Sequence, residues 1–504
     1  MEGLALLAGS LAKLAAPMSI LYALGATLAG ILIGVLPGLS ATLGVALFTT
    51  LTVRMAPTDA ILILVCVYVG AIYGGSRTAI LLNIPGTAAN AAACIDGNAL
   101  ARQGKAGRAM GIATTGSVAG SLFGVACLAM FTPLLAEVAL KFGAFEFFWL
   151  ALLGVLMSGG LTGADPLKGW LMGLLGLVVS QVGLDPIHAH PRFTFGWNQM
   201  AGGIGLIPAL VGAFGFAEVL MVMSEPARKL VVRSIDSVVP RIRDVLRYWK
   251  TMLRSGFIGV FMGILPGVGE DMGAWTSYAT AKRLSREREQ FGHGSVEGLM
   301  AAETGDNAAI PGAMVPALAL GVPGSAPAAV LMAAMIIHGV QPGPMLMVSQ
   351  PQFIHDVVAI TMAATLSILV FGLVLVRPML WILQVPRHVI MPLVFVLCVL
   401  GSYAIASRLF DVWVMLVVGF VCFLLRRQGF PVAPFVLGLV LGDIVDKSLR
   451  RGLVLSDGSL LPFFTRPIAG VLALLVIVLL LSQVPAVRRL LAPRAAATPA
   501  ARRG

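Results

Sequence analysis

The sequence predicts an all-α fold: a polytopic membrane protein of roughly ten to thirteen transmembrane helices, with re-entrant or broken helices in two internal repeats. The composition is the first reason, because 58% of the 504 residues are hydrophobic and only 12% are charged. Soluble domains carry about 25% charged residues, so a chain this apolar suits lipid better than water. The second reason is its 58 glycines and 29 prolines, which are typical of membrane helices and especially of interrupted ones.

Apolar segments follow one another along nearly the whole chain. A helix needs about 20 apolar residues to cross a bilayer, and several of these segments are shorter. We therefore expect full crossings together with half-helices. The segments are 18–36, 41–53, 58–75, 109–135, 147–161, 167–184, 201–224, 256–268, 306–322, 327–347, 356–380, 389–406, 409–425, 431–446 and 467–484.

Basic segments divide the chain into regions. An excess of Lys and Arg marks cytoplasmic loops, so we expect the basic connecting loop and the Arg-rich tail in the cytoplasm, with Arg426 and Arg427 as a third inside anchor. The net charge of +12 lies in such loops without interleaved aromatic residues, which argues against nucleic acid as a partner. The regions are a first transmembrane repeat (1–224), the connecting loop (225–254), a second repeat (255–484) and the tail (485–504).

The two halves share two motifs in the same order. GVLPGLS at 34–40 is similar to GILPGVG at 263–269, and NIPGT at 83–87 is similar to GVPGS at 321–325. One Pro-Gly pair is a weak turn signal, but two matched pairs indicate an internal duplication. Duplicated folds with interrupted helices are typical of secondary transporters. We expect inverted repeats, which require an odd number of crossings between them.

Each Pro-Gly pair predicts a helix break that exposes backbone groups to a ligand. Proline removes a donor, glycine permits a sharp turn, and unpaired groups in lipid cost several kcal/mol each. The positive end of a half-helix suits a carboxylate, whereas free carbonyls suit a cation. The alternatives are packed kinks and hydrogen bonds between helices. The predicted substrate-binding residues are Pro37, Gly38, Ser40, Ser76, Arg77, Asn83, Pro85, Gly86, Thr87, Pro266, Gly267, Pro323, Gly324 and Ser325.

An arginine within an apolar stretch is a functional hypothesis by default. Arg77 stands directly before the break that contains Pro85 and Gly86. Its guanidinium could bind a substrate carboxylate through two parallel hydrogen bonds. Pairing with a fixed acid such as Asp96 is the alternative.

Two acidic groups are predicted to bind a coupling ion, either sodium or a proton. Glu270 and Asp271 follow the second Leu-Pro-Gly motif, where the alternative is a solvated helix start. Glu303, Asp306 and Asn307 precede the apolar run that ends at the Gly-Val-Pro-Gly motif at 321–324, where the alternative is a capping cluster. We expect no other metal and no cofactor.

Motifs of common enzyme classes are missing from the sequence. It contains no GxxxxGK[ST] phosphate loop, no GxSxG nucleophile elbow, no HExxH and no cysteine pair with zinc spacing. We therefore expect a protein that is not an enzyme and does not hydrolyse ATP through a P-loop.

The motifs resemble those of the large membrane subunit of the tripartite tricarboxylate transporter family. The similarity runs nearly from end to end, and the Pro-Gly pairs at 37–38, 85–86, 266–267 and 323–324 match those of the family. The chain departs from the family pattern at Arg77, Glu270-Asp271 and Asp306. The matching stretches are 34–44, 73–109, 263–269, 276–309, 320–344 and 449–468.

The resemblance implies a multi-pass protein of the bacterial inner membrane that works with two partners. These are a small membrane subunit of about four helices and a periplasmic solute-binding protein that delivers the substrate. It further implies import of an organic acid, such as a tricarboxylate, a dicarboxylate or an aromatic carboxylate, driven by an ion gradient. A channel-like or scaffold subunit without coupled transport of its own is the alternative.

Overall fold

The computed structural model describes residues 2–36, 38–161, 165–185, 189–224, 238, 242–375, 378 and 387–482. The described part is almost entirely helical. Its only strands are β1 (Gly183–Leu184) and β2 (Pro191–Arg192), which pair antiparallel. The predicted all-α fold is confirmed.

The first half of the chain ends in an irregular helix. Leu206–Ser224 forms one continuous helix in which a π-helical stretch, Val211–Phe216, separates two α-helical parts. The helices of this half are α1 (Glu2–Leu14), α2 (Pro17–Val35), α3 (Ala41–Thr52), α4 (Pro57–Leu82), α5 (Asn90–Arg102), α6 (Ala106–Ala139), α7 (Ala144–Leu161), α8 (Pro166–Ser180), α9 (Asn198–Ala201), α10 (Leu206–Leu210) and α11 (Ala217–Ser224).

The second half is helical as well, with one 3₁₀ turn at Arg288–Gln290. Its helices are α12 (Ile242–Arg247), α13 (Trp249–Ile264), α14 (Gly269–Leu284), α15 (Val296–Leu320), α16 (Ala326–Ile337), α17 (Pro344–Ser349), α18 (Pro351–Val374), α19 (Arg387–Ala406), α20 (Leu409–Arg427), α21 (Val432–Leu455), α22 (Pro462–Thr465) and α23 (Pro467–Ser482).

Within the described residues, seven helices are long and apolar enough to cross a membrane. Shorter apolar helices accompany them, among them α3, α7, α8, α16 and α23. The mixture of long and short apolar helices is that of a polytopic membrane protein, as the sequence predicts. The seven helices are Pro17–Val35, Pro57–Leu82, Ala106–Ala139, Leu206–Ser224, Pro351–Val374, Val389–Ala406 and Leu409–Arg427.

The two Leu-Pro-Gly motifs each join a pair of helices into a hairpin, α2 with α3 and α13 with α14. Both turns require glycine, because Gly38 has a φ of 95° and Gly267 a φ of 74°, which side chains rarely permit. The duplication itself and its inverted orientation stay predictions.

The other two motifs end the long helices α4 and α15. Each helix stops at a residue in the left-handed conformation, Asn83 with a φ of 58° and Gly321 with a φ of 69°. Asparagine and glycine are the residues that adopt this conformation most easily. A short non-helical segment follows in both cases and leads into α5 and α16.

Glycines bring the helices of each half into backbone contact. A Cβ on Gly34 of α2 would lie 2.1 Å from the Ala71 carbonyl oxygen of α4. A Cβ on Gly263 of α13 would likewise lie 2.5 Å from the Ala309 oxygen of α15. Small residues at such positions allow close packing, which drives helix association in membranes.

A third row of glycines packs the two halves together. Gly116, Gly120 and Gly124 of α6 lie against the α15 backbone, and a Cβ on Gly120 would stand 2.2 Å from the Thr304 oxygen. The long helix of the second half is therefore held by the first half, and its residues are almost all buried.

The basic regions lie mostly outside the described residues. Of the predicted connecting loop, only Val238 and residues 242–254 are described, and the tail at 485–504 lies outside the described residues altogether. The placement of both in the cytoplasm stays a prediction, as does the division into two repeats.

We expect Gly34→Ala to lower the melting temperature of the purified protein in detergent. The new methyl group would overlap the Ala71 carbonyl, and overpacking of this kind costs about 1–3 kcal/mol. Gly25→Ala on the same helix is the control, because a Cβ there meets nothing within 4 Å. Equal melting temperatures for the two variants would contradict the proposed close packing of α2 on α4.

Candidate functional site

A cavity of about 340 Å³ lies where the four chain breaks converge. Its wall contains Gly38, Gly86, Gly267 and Ser325, one residue from each break region. The segment that joins α20 to α21 closes another side of the cavity. A concave site with a few converging polar groups is the usual form of a small-molecule site.

Five helices begin beside this cavity: α3, α5, α14, α16 and α21. Ser40 caps the first turn of α3 by accepting a hydrogen bond from Leu43 N at 3.2 Å. Ser325 caps α16 in the same way through Ala328 N at 3.3 Å. Because the N-terminal end of a helix carries partial positive charge and free N–H groups, the arrangement favours an anion in the cavity.

The protein's own acids occupy two of these positions. Asp271 Oδ1 accepts a hydrogen bond from Ala89 N, at the start of α5, at 3.0 Å. Glu270 Oε1 accepts one from Ser325 Oγ, at the start of α16, at 3.0 Å and another from the Tyr68 hydroxyl. Glu270 is buried, so the alternative of a solvated helix start does not describe it.

Arg426 is the one cationic side chain among the described residues that line the cavity. It forms an ion pair with Glu218, which lines the same cavity. The sequence predicts for Arg426 only a role in orienting the chain in the membrane. Nothing in the local sequence reveals this role, because Glu218 lies on a helix about 200 residues earlier.

Arg77 is fully buried and lies away from the cavity wall. Its guanidinium stacks on the Tyr73 ring at 4.1 Å and donates hydrogen bonds to Met110 O at 3.1 Å and to Thr114 Oγ1 at 3.2 Å. Its Nη2 lies 3.9 Å from Glu303 Oε2. The structure therefore places Arg77 in a buried ion pair rather than among the residues that face the cavity.

Asp96, offered as the alternative partner of Arg77, is engaged elsewhere. Its Oδ1 accepts hydrogen bonds from the backbone N–H groups of Gly292, Gly294 and Ser295, at 2.8–2.9 Å. Its Oδ2 accepts one from the Tyr278 hydroxyl at 2.9 Å. Asp96 thus fixes the loop before α15, and the fixed acid that pairs with Arg77 is Glu303 rather than Asp96.

The predicted ion-binding residues of α15 form a polar cluster inside the protein. Glu303 Oε2 accepts a hydrogen bond from Ser117 Oγ of α6 at 2.8 Å. Asn307 Nδ2 donates to the same hydroxyl at 3.0 Å. Asp306 Oδ2 accepts from Asn90 Nδ2 of α5 at 3.0 Å. Because all three residues lie within α15 rather than at its start, they do not cap that helix.

Several oxygens of this cluster have no hydrogen-bond partner among the residues that the structure describes. They are Glu303 Oε1, Thr304 Oγ1, Asp306 Oδ1 and Asn307 Oδ1, all from buried side chains. A buried acceptor without a partner costs about 1–3 kcal/mol, and more when it is charged. Carboxylate, amide and hydroxyl oxygens are the ligands that hard cations prefer, so the cluster fits the chemistry of a sodium ion or a proton.

The predicted site residues separate into two groups. Those that line the cavity are Gly38, Ser40, Gly86, Thr87, Gly267, Glu270, Asp271 and Ser325. Those outside the cavity wall are Ser76, Arg77, Asn83, Pro85, Pro266, Glu303, Asp306, Asn307, Pro323 and Gly324. Pro37 lies outside the described residues.

Comparison with known proteins gives one family and two relatives. The model described as "Tripartite tricarboxylate transporter TctA family" matches residues 20–437. A 52.8 kDa uncharacterized protein in the TAR-I ttuC' 3' region of Agrobacterium vitis is 36% identical over 455 residues, covering 90% of this chain and 91% of the relative.

A second Agrobacterium vitis protein, uncharacterized and from the TAR-II ttuC' 3' region, is 33% identical over 231 residues. That match covers 46% of this chain and 96% of the relative. No solved structure matches the chain. Since the family match spans most of the sequence and most of the helices that build the cavity, the chain belongs to the TctA family of tripartite tricarboxylate transporters.

Proposed function

We propose that this protein imports an organic acid across the bacterial inner membrane and that an ion gradient drives the import. The main support is the cavity on which the starts of α3, α5, α14 and α16 converge. Helix starts bind anions through free N–H groups and the helix dipole, without needing a basic side chain. The imported acid is a tricarboxylate, a dicarboxylate or an aromatic carboxylate.

The polar cluster on α15 is the proposed site of the coupling ion, sodium or a proton. Arg77 offsets the charge of Glu303, since both side chains are fully buried and 3.9 Å apart. Asp306 accepts a hydrogen bond from the Asn90 amide through Oδ2, and its Oδ1 has no partner within the described part of the chain. Uncompensated charge in a membrane interior is costly, so Asp306 favours uptake of one monovalent cation. Glu270 and Asp271, in the cavity wall, are a second group that could take up a proton.

Family membership supports the proposed partners. Tripartite transporters of this kind imply a small four-helix membrane subunit and a periplasmic solute-binding protein that hands over the acid. In this scheme the binding protein captures the substrate, and the present chain carries it across the bilayer. The family is one of transporters rather than enzymes.

An added negative charge at the cavity should weaken the apparent affinity for the acid. Ser40→Asp and Ser40→Asn both keep an N-cap residue at the start of α3, so the pair differs chiefly in charge. A negative charge about 4 Å from a substrate carboxylate raises the free energy of the bound state by about 4 kcal/mol at an effective dielectric constant of 20. We expect KM for uptake into proteoliposomes to rise at least tenfold in Ser40→Asp relative to Ser40→Asn.

The assay would use labelled citrate, succinate and benzoate, with the partner subunits supplied. Equal KM values for the two Ser40 variants, for every acid transported, would contradict binding of the acid in this cavity.

Removal of the Asp306 charge should uncouple uptake from the ion gradient. In Asp306→Asn the amide is similar in size but has no net charge to attract a cation, so we expect at least about a tenfold loss of gradient-driven accumulation. Asp443→Asn is the control, because that carboxylate is exposed and pairs with Lys447 at 2.7 Å. Accumulation would be measured with sodium and pH gradients applied separately.

Two results of that assay would contradict the proposal in different ways. Full accumulation by Asp306→Asn would remove the α15 cluster from the coupling. A wild-type protein that only equilibrates the acid, whatever the gradient, would identify a channel-like or scaffold subunit.

A further inference from the structure

Asn90 connects the cavity to the polar cluster of α15. It is the first residue of α5 and is fully buried. On one side, its Oδ1 accepts a hydrogen bond from Thr87 Oγ1 at 2.9 Å, and Thr87 lines the cavity. On the other side, its Nδ2 donates to Asp306 Oδ2 at 3.0 Å and to Ser76 Oγ at 3.0 Å. A single amide therefore contacts both proposed sites.

The residues just before Asn90 also contact the cavity. Thr87 and Ala88 line it, and Ala89 N donates to Asp271 Oδ1. The start of α5 is thus in contact with the cavity wall, with a cavity carboxylate and with the α15 cluster within four consecutive residues. A shift of this helix start by the length of one hydrogen bond would change all three sets of contacts.

The neighbouring helix leaves room for the Asn90 amide. A Cβ on Gly75 of α4 would lie 2.1 Å from Asn90 Oδ1 and 3.5 Å from Gly86 Cα. Any larger residue at position 75 would displace the amide. The hydrogen bonds of Asn90 therefore depend on a glycine at position 75 as well as on their own donors and acceptors.

We propose that Asn90 is the positioning residue that couples occupancy of the cavity to occupancy of the cation cluster. The inference rests on the proposed function and adds the link between its two sites. A carboxylate that binds at the start of α5 competes with Asp271 for Ala89 N and moves Thr87 and Asn90. Because Asn90 holds one oxygen of Asp306, this movement reorients the carboxylate that receives the cation.

The coupling must act in both directions. If a bound cation increases the affinity for the acid by some factor, the bound acid increases the affinity for the cation by the same factor. Such factors are typically about 5- to 150-fold. Asn90→Ala removes the amide and with it both hydrogen-bonded connections, so the factor should fall to within about twofold of one.

The test measures this factor by calorimetric binding to the purified full-length protein. The probe is whichever of citrate, succinate and benzoate the wild-type protein transports best, titrated over a series of sodium concentrations and, separately, of pH values. We expect wild type to show acid affinity that rises with the cation and Asn90→Ala to bind the acid with little dependence on it. If Asn90 had only a structural role, its removal would change the affinity for the acid or the stability of the protein. It would not change the factor by which the cation raises the affinity for the acid.

Asn98 provides a matched control on the same helix. It is also buried, and its Nδ2 donates to the Ile80 carbonyl of α4 at 3.0 Å, just as Asn90 Nδ2 contacts the Ile72 carbonyl at 3.4 Å. Among the described residues, no side-chain hydrogen bond joins Asn98 to the cavity lining or to the α15 cluster. Asn98→Ala should therefore keep the wild-type factor.

The outcomes separate this inference from the proposed function. The role of Asn90 would be overturned if Asn90→Ala kept the wild-type coupling factor between cation and acid. It would also be overturned if Asn98→Ala lost that factor to the same extent. Either result would leave the transporter proposal standing. A wild-type protein that binds none of the acids, or binds them independently of both cations, would overturn both. If Asn90→Ala does not fold, Thr87→Ala breaks the same connection from the cavity side, and an unchanged factor there would overturn the inference.

Discussion

The interrupted helices of this protein must satisfy their backbone polar groups within the protein, because lipid offers no hydrogen bonds. Ser40 and Ser325 meet this need at the starts of α3 and α16, and Asp271 does so at the start of α5. At the ends of α4 and α15, left-handed turns at Asn83 and Gly321 direct N–H groups back onto the last helical carbonyls. Because the helix starts converge on one cavity, the residues that make the breaks tolerable in lipid also create the proposed anion site.

The location of this cavity could be predicted from the sequence because its cause is local. Proline and glycine act on their own backbone, so the motifs at 36–38, 85–86, 265–267 and 323–324 indicate helix breaks without knowledge of any other residue. The glycines of the first three motifs line the cavity. In the fourth motif the serine that follows the glycine, Ser325, lines it instead. The same reasoning identified the acidic pair at 270–271, because it directly follows a break.

Partners distant in sequence could not be predicted in this way. The position of Arg77 before a break predicts a role in substrate binding, but its side chain pairs with Glu303, on a helix of the other half. Arg426 lies at the end of an apolar helix, where a basic residue ordinarily marks the cytoplasmic side. Its pairing with Glu218 depends on the packing of α20 against the π-helical stretch. The local sequence does not indicate this packing.

The charge of the cavity makes binding of the acid without a cation unfavourable. Glu218, Glu270 and Asp271 line it, whereas the cation described there, Arg426, is paired with Glu218. Two like charges about 4 Å apart repel by about 4 kcal/mol at an effective dielectric constant of 20, so an organic anion entering alone must overcome the carboxylates that already occupy the helix starts. A cation or proton that enters with it offsets that repulsion. Since the oxygens that can receive the cation lie one amide away, through Asn90, recognition of the acid and coupling to the gradient depend on the same turn of helix.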